Sequence, residues 1–153
     1  MSKQTQIIME KKSLKLAEFY QLEAELNGVV NTQTGEKLVQ GILSQKLPLN
    51  VKYWLNDLSK RVTEQKQECE KLREELIKKY GEEKDGGVQI PFYVKDDNGN
   101  DVQNEKLVEF QNEYASLLNE ERDLEYKEIK LSDIGNLETE ETYDKLFSLL
   151  KAE

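Results

Sequence analysis

Cys69 is the only thiol in the 153-residue chain, and no histidine occurs anywhere. Those two facts limit the chemistry before any fold is considered. Without imidazole there is no Ser-His-Asp triad, no Cys-His dyad and no His-based zinc site. Cys69 falls in an apolar row in the middle of an element, where a small buried hydrophobe is expected rather than a reactive thiolate. A single cysteine makes no internal disulfide, which fits a reducing compartment. Asp96, Asn98 and Asn100 alternate like the oxygen ligands of a calcium loop, but the sixth loop position is Asp101 instead of glycine and the twelfth is Leu107 instead of glutamate. The segment therefore reads as a turn. Carboxylates are abundant at Glu120, Glu121, Asp123, Glu125, Glu138, Glu140 and Glu141. Hydrolysis or a di-metal site needs two or more of them to converge in a pocket, and spacing along the chain does not impose that. Gly86-Gly87 lacks the Lys-Ser/Thr that completes a phosphate loop. The expectation is a chain with no catalytic residue, no metal and no cofactor. What remains is contact chemistry. The aromatic pairs Tyr53-Trp54 and Phe92-Tyr93 stand where one ring of each faces outward, so Tyr53, Trp54 and Tyr93 are the candidate partner-binding residues, with Glu120, Glu121 and Asp123 supplying charge.

The elements that must position these residues follow from periodicity. Residues 13–27 predict a helix, with Ser13 as N-cap and Leu16, Phe19, Leu22 and Leu26 on one face. A short helix over 35–45 follows, carrying Leu38, Val39, Ile42 and Leu43. Pro48 heads the strongest element, a helix of about 30 residues running to Tyr80. Leu55, Val62, Cys69 and Leu76 recur every seven residues, while the second row, Leu58, Gln65, Leu72 and Lys79, is weakened by its polar members. Residues 81–87 read as a loop. Val88, Ile90, Phe92 and Val94 alternate as in a strand that Pro91 confines to an edge, and Asp97-Asn98-Gly99-Asn100 is a turn. A helix over 104–122, capped by Asn104, matches the long helix in its step of Leu107, Phe110, Tyr114 and Leu117. Residues 124–131 predict a strand, and Thr139 caps a last helix over 140–151.

The fold class predicted is thus α+β and mainly α. A long antiparallel helical hairpin is expected beside a short helix pair and a small two- or three-stranded antiparallel sheet. One domain is expected over 1–153. It comprises an N-terminal helix pair (1–46), the hairpin (47–123) with a β-like insert at 81–103, and a strand with a C-terminal helix (124–153). The core is expected around Phe19, Leu22, Leu26, Leu38, Ile42, Leu55, Leu58, Val62, Leu72, Leu76, Phe110, Tyr114, Leu117 and Phe147.

Charge narrows the partners. The chain carries 22 Lys+Arg and 31 Asp+Glu, a net of −9. Residues 1–95 hold 16 basic against 14 acidic groups, and residues 96–153 hold 6 against 17. An acidic surface repels phosphates, so direct nucleic-acid binding is not expected, and Lys11-Lys12 and Lys60-Arg61 are too sparse to form a basic stripe. No apolar run approaches the roughly 18 residues of a membrane span, and no secretory leader is expected.

Leu47-Pro48-Leu49-Asn50-Val51-Lys52-Tyr53-Trp54-Leu55, Glu74-Glu75-Leu76-Ile77-Lys78-Lys79-Tyr80-Gly81, Phe110-Gln111-Asn112-Glu113-Tyr114, Leu117-Leu118-Asn119-Glu120-Glu121 and Ile129-Lys130-Leu131-Ser132-Asp133 together carry a resemblance. In that order they resemble a group of small proteins encoded by tailed bacteriophages. The resemblance runs from about Leu47 to Ile134 and leaves residues 1–46 outside it. It implies a phage origin and action in the cytoplasm of a bacterial host or on the virion, and it brings no catalytic residue.

Three functions follow as expectations. The first is a non-enzymatic protein-binding or structural accessory protein that docks onto a virion component or a host protein, with a homo-oligomer through the long helix as a further arrangement. The second is an inhibitor whose acidic C-terminal third imitates nucleic acid. The third is a small-ligand-binding protein.

Overall fold

The computed structural model describes residues 9–135 and 141–150. In chain order these form β1 (Met9–Lys15), α1 (Leu16–Asn27), β2 (Gly28–Val30), β3 (Lys37–Gln40), a 3-10 turn (Ile42–Ser44), α2 (Leu49–Tyr80), β4 (Glu82–Lys84), β5 (Gly87–Gln89), β6 (Tyr93–Lys95), β7 (Asp101–Gln103), α3 (Glu105–Leu118), β8 (Glu121–Lys127), α4 (Leu131–Ile134) and α5 (Asp144–Leu149). Helix takes up 52% and strand 25% of the described residues, so the class is mixed α+β. In place of one small sheet there are four separate antiparallel pairs, β1-β8, β2-β3, β4-β5 and β6-β7. The expectations at Glu138, Thr139 and Glu140 lie outside the described residues. The chain falls into two compact units. Unit 1 takes the described residues up to Lys66 and those from Glu121 onward. Unit 2 is Gln67–Glu120.

Unit 1 holds most of the core. Phe19, Leu22 and Leu26 of α1, Ile42, and Leu55, Leu58 and Val62 of α2 are all buried, as their spacing predicts. Leu124 and Tyr126 of β8 and Leu146 and Leu149 of α5 join them. Ser13 is not a helix cap. It lies in β1 opposite Asp123, and the helix begins at Leu16, where the Glu18 carboxylate accepts the Lys15 N–H at 3.2 Å. The β1-β8 pair alternates cleanly. Leu14, Leu124 and Tyr126 point inward, while Lys11, Ser13 and Lys15 stand across from Glu125, Asp123 and Glu121 on the outer face.

The short helix over 35–45 does not form. Residues 37–40 pair with 28–30, and Leu38 is 57% exposed. The reason is Gly41, which lies flush against the backbone of Leu26, Asn27 and Gly28 and fixes the chain as an extended return. Phe147, expected in the core, is half-buried beside the buried Tyr143 ring, 6.0 Å away. Glu25 is the one buried carboxylate among the described residues, and it accepts the backbone N–H groups of Lys145 and Leu146 at the start of α5.

Tyr126 gives unit 1 a pH signature. Its O–H donates to the Leu149 carbonyl at 2.9 Å. Burial, with the Glu10 carboxylate adding to it, pushes the phenol up to about 12. The folded state therefore keeps a proton that the unfolded chain releases above about pH 10, so stability falls as pH rises through that window toward 12. At pH 11 the loss is about 1.4 kcal/mol. Urea midpoints of wild type and Tyr126→Phe at pH 8 and pH 11 check this: the wild type should lose about 1.4 kcal/mol more than the variant over that interval. Parallel losses would rule out the phenol as the source.

Unit 2 contains the later turns of α2, the two small hairpins and α3. The loop expected at 81–87 is a β-hairpin, turned by Asp85 and Gly86, both at positive φ. The single strand expected over 88–94 is split at Ile90–Phe92 between that hairpin and the next, because Pro91 has no N–H to continue a ladder. The Asp97–Asn100 turn forms as read. One oxygen of Asp96 accepts the N–H groups of Asn98 at 2.9 Å and Asn100 at 2.8 Å, so the calcium-like alternation is turn chemistry. The helix expected over 104–122 ends at Leu118, where the Asn119 side chain donates to the Ala115 carbonyl, and Glu121 already belongs to β8.

Asn104 caps α3 as predicted. Its Oδ1 accepts the Lys106 N–H at 3.1 Å. Its Nδ2 donates to the Pro91 carbonyl at 2.7 Å, and its backbone N–H to Phe92 at 3.0 Å. This buried side chain thus ties the helix start to the break between the hairpins. Asn104→Ala should destabilise by about 1–3 kcal/mol, since it loses a cap and strands a carbonyl. Asn104→Asp, which keeps the cap acceptor, should recover part of that in thermal melts followed by circular dichroism.

Candidate functional site

Unit 2 has little closed core. Among its residues only Cys69 and Asn104 are buried, and α3 buries none of its side chains. Leu72 is 40% exposed, and Leu76, Phe110, Tyr114 and Leu117 are half-buried, which corrects their expected place in a sealed core. The physical cause is visible in the second row of the α2 seam. Gln65 and Lys79 interrupt it, so the row cannot close over its own leucines.

These residues line a groove of about 550 Å³. Leu72, Glu75, Leu76 and Lys79 contribute from α2, Glu113 and Leu117 from α3, and Glu120 from just past the end of α3. The floor is leucine and the rim is charged. Lys79 Nζ meets Glu113 Oε1 at 3.0 Å. That hydrogen bond, with a second from Tyr80, holds the Lys79 ammonium above its usual range and the Glu113 carboxyl below its own. The Arg73 guanidinium lies 5.8 Å from the Tyr114 ring, which stacks on Phe110 with centroids 5.8 Å apart.

Of the six candidate contact residues, Tyr53, Trp54, Glu121 and Asp123 belong to unit 1, and Tyr93 and Glu120 to unit 2. Tyr53 is 65% exposed near the start of α2. Trp54 is half-buried, so Tyr53 is the outward ring of the pair; the two lie edge-on at 5.0 Å, with the Lys127 ammonium 5.9 Å from the Trp54 ring. Tyr93 is 67% exposed on β6. Its neighbour Phe92, expected to face inward, is 70% exposed because the β6-β7 pair has only two strands. Glu121 and Asp123 lie on the outer face of β8. Glu121 accepts from Ser13 Oγ at 3.3 Å, and Asp123 pairs with Lys11 at 3.4 Å. Glu120 alone of the six lines the groove.

No family model, no curated protein and no solved structure matches the chain. The groove is therefore read from its own chemistry. Among the described residues no group of three or more His, Cys, Asp or Glu is placed to hold a metal ion. The Cys69 thiol is buried. No helix among the described residues is long and apolar enough to cross a membrane. The groove offers apolar contact area, a carboxylate-rich rim and helices whose internal hydrogen bonds occupy their own backbone. That arrangement can bind a complementary surface.

The sequence assigned the groove leucines to the core because their spacing is that of a buried stripe. The polar interruptions at Gln65 and Lys79 were the signal that the stripe stays open.

Proposed function

We propose that this chain is a non-enzymatic accessory protein that acts by docking onto another protein, and that the later turns of α2 and α3 form the antiparallel hairpin that docks. The observation that supports this reading is the exposed leucine floor of unit 2, whose apolar side chains have no covering layer within the unit. The sequence resemblance adds a tailed-phage origin and an expectation of action in the bacterial cytoplasm or on the virion. A virion component and a host protein are both partners of the kind expected.

The test compares wild type with Leu72→Asp/Leu117→Asp as tagged baits in host or infected cells, with molar mass measured by light scattering. Both positions keep solvent exposure, so the fold should survive, as circular dichroism would verify. Partners captured by wild type at high salt and lost by the variant support docking through the groove. Identical capture by both baits places any docking elsewhere and sinks the proposal.

The nucleic-acid-mimicking reading has less support. On β8 the carboxylates of Glu121, Asp123 and Glu125 face Lys15, Ser13 and Lys11 across the pair, so this part of the acidic segment is interleaved with positive charge instead of standing as a ridge.

A further inference from the structure

Resting on that docking reading, we propose that the groove of unit 2 takes one face of a basic amphipathic helix, with apolar side chains at i, i+4 and i+7 flanked by lysine or arginine. Three features of the groove select this occupant. The first is shape. The lining runs along about two turns of α2, from Leu72 to Lys79, and along the last turns of α3 to Leu117 with Glu120 just past its end, a length that two turns of a third helix match. The second is backbone chemistry. Both walls are helical, and their N–H and C=O groups are already paired within the helices, so an extended peptide would find no ladder to join. A helix arrives with its own backbone satisfied. The third is charge. Glu75, Glu113 and Glu120 outnumber Lys79 among the lining residues, and the Lys79 ammonium is already engaged by Glu113 at 3.0 Å. Cations flanking an apolar stripe complement such a rim. A second copy of this chain does not, because its own groove presents the same carboxylates and its net charge is −9.

The probes are three fluorescent peptides of about 18 residues, or five helical turns. One has leucines at helical spacing flanked by lysines, one has the same composition shuffled, and one has glutamate in place of lysine. Fluorescence anisotropy with the full chain should show the first binding at least about tenfold tighter than either other peptide. Glu75→Lys/Glu120→Lys, which alters only exposed side chains, should weaken the lysine peptide and strengthen the glutamate peptide. Leu72→Asp/Leu117→Asp should weaken both. Equal binding of the shuffled peptide means unspecific attraction of charge and overturns the proposal, as does equal binding of the glutamate peptide. A dimer in light scattering that the groove variant dissolves assigns the groove to a second copy and also overturns it. If no peptide binds while the aspartate variant still loses its captured partners, only the choice of occupant fails. If the variant loses nothing either, docking through this groove fails with it.

Discussion

Glu25→Ala should lower stability by about 2–4 kcal/mol, among the largest effects of any single substitution in unit 1. α5 has only six residues, and Tyr143, at its cap position, makes no side-chain cap. The first N–H groups of any helix lack internal partners. Here the carboxylate of a residue on α1 takes two of them, Leu146 at 3.0 Å and Lys145 at 3.3 Å, from a side chain that is almost fully buried. The Lys145 ammonium also pairs with Glu18, about two turns earlier on α1. Alanine leaves two donors facing a dry space where the carboxylate stood. Glu25→Gln keeps one acceptor oxygen and should cost less, on the order of half. Urea unfolding of the three proteins decides the matter. An alanine variant within about 0.5 kcal/mol of wild type, the range of an ordinary surface change, would mean that water replaces the carboxylate.

Gly41→Ala should cost about 2–4 kcal/mol for a different reason. The backbone angles of Gly41, φ −71 and ψ 153, suit any residue, so no conformational penalty arises. The penalty is spatial. A Cβ there would sit 2.4 Å from the Asn27 carbonyl carbon and 2.5 Å from both Gly28 N and Leu26 O. All three are backbone atoms, so the end of α1 and the β2-β3 return must separate to make room. Gly99→Ala is the matched control. Its φ of +78 is unfavourable for alanine, yet nothing lies within 4 Å, and the expected cost is only about 1 kcal/mol. Equal losses in the two variants would show that the close approach at Gly41 is not what constrains the chain.

The sequence is most legible where a local rule acts alone. The seven-residue row of Leu55, Val62 and Cys69 is buried along one helix, Asn104 caps, and Asn98-Gly99 turns, because each depends on neighbours within a turn or two. The β1-β8 pair was not legible. Ser13 and Glu121 are 108 residues apart, and the strands show few apolar marks, Met9, Leu14, Leu124 and Tyr126, among charges. Leu38, Val39, Ile42 and Leu43 fit a helix face as well as a strand and a tight turn, and the deciding contact at Gly41 involves backbone atoms that no side-chain pattern reports. The groove was half legible: its residues were picked out by spacing, but their exposure depends on a covering layer that spacing alone does not reveal.

α2 has one further consequence. It is a single helix of 32 residues, yet its first turns carry Val51, Leu55, Leu58 and Val62 into a core, and beyond Cys69 no residue of it is buried. Helical hydrogen bonds open as fast as the packing around them allows. Amide hydrogens along this one helix should therefore exchange on a gradient, slow near Leu58 and orders of magnitude faster toward Tyr80. One end of the rod is held to the global unfolding reaction, and the other samples open states on its own. A partner seated in the groove would be read first as a slowing of exchange at that faster end.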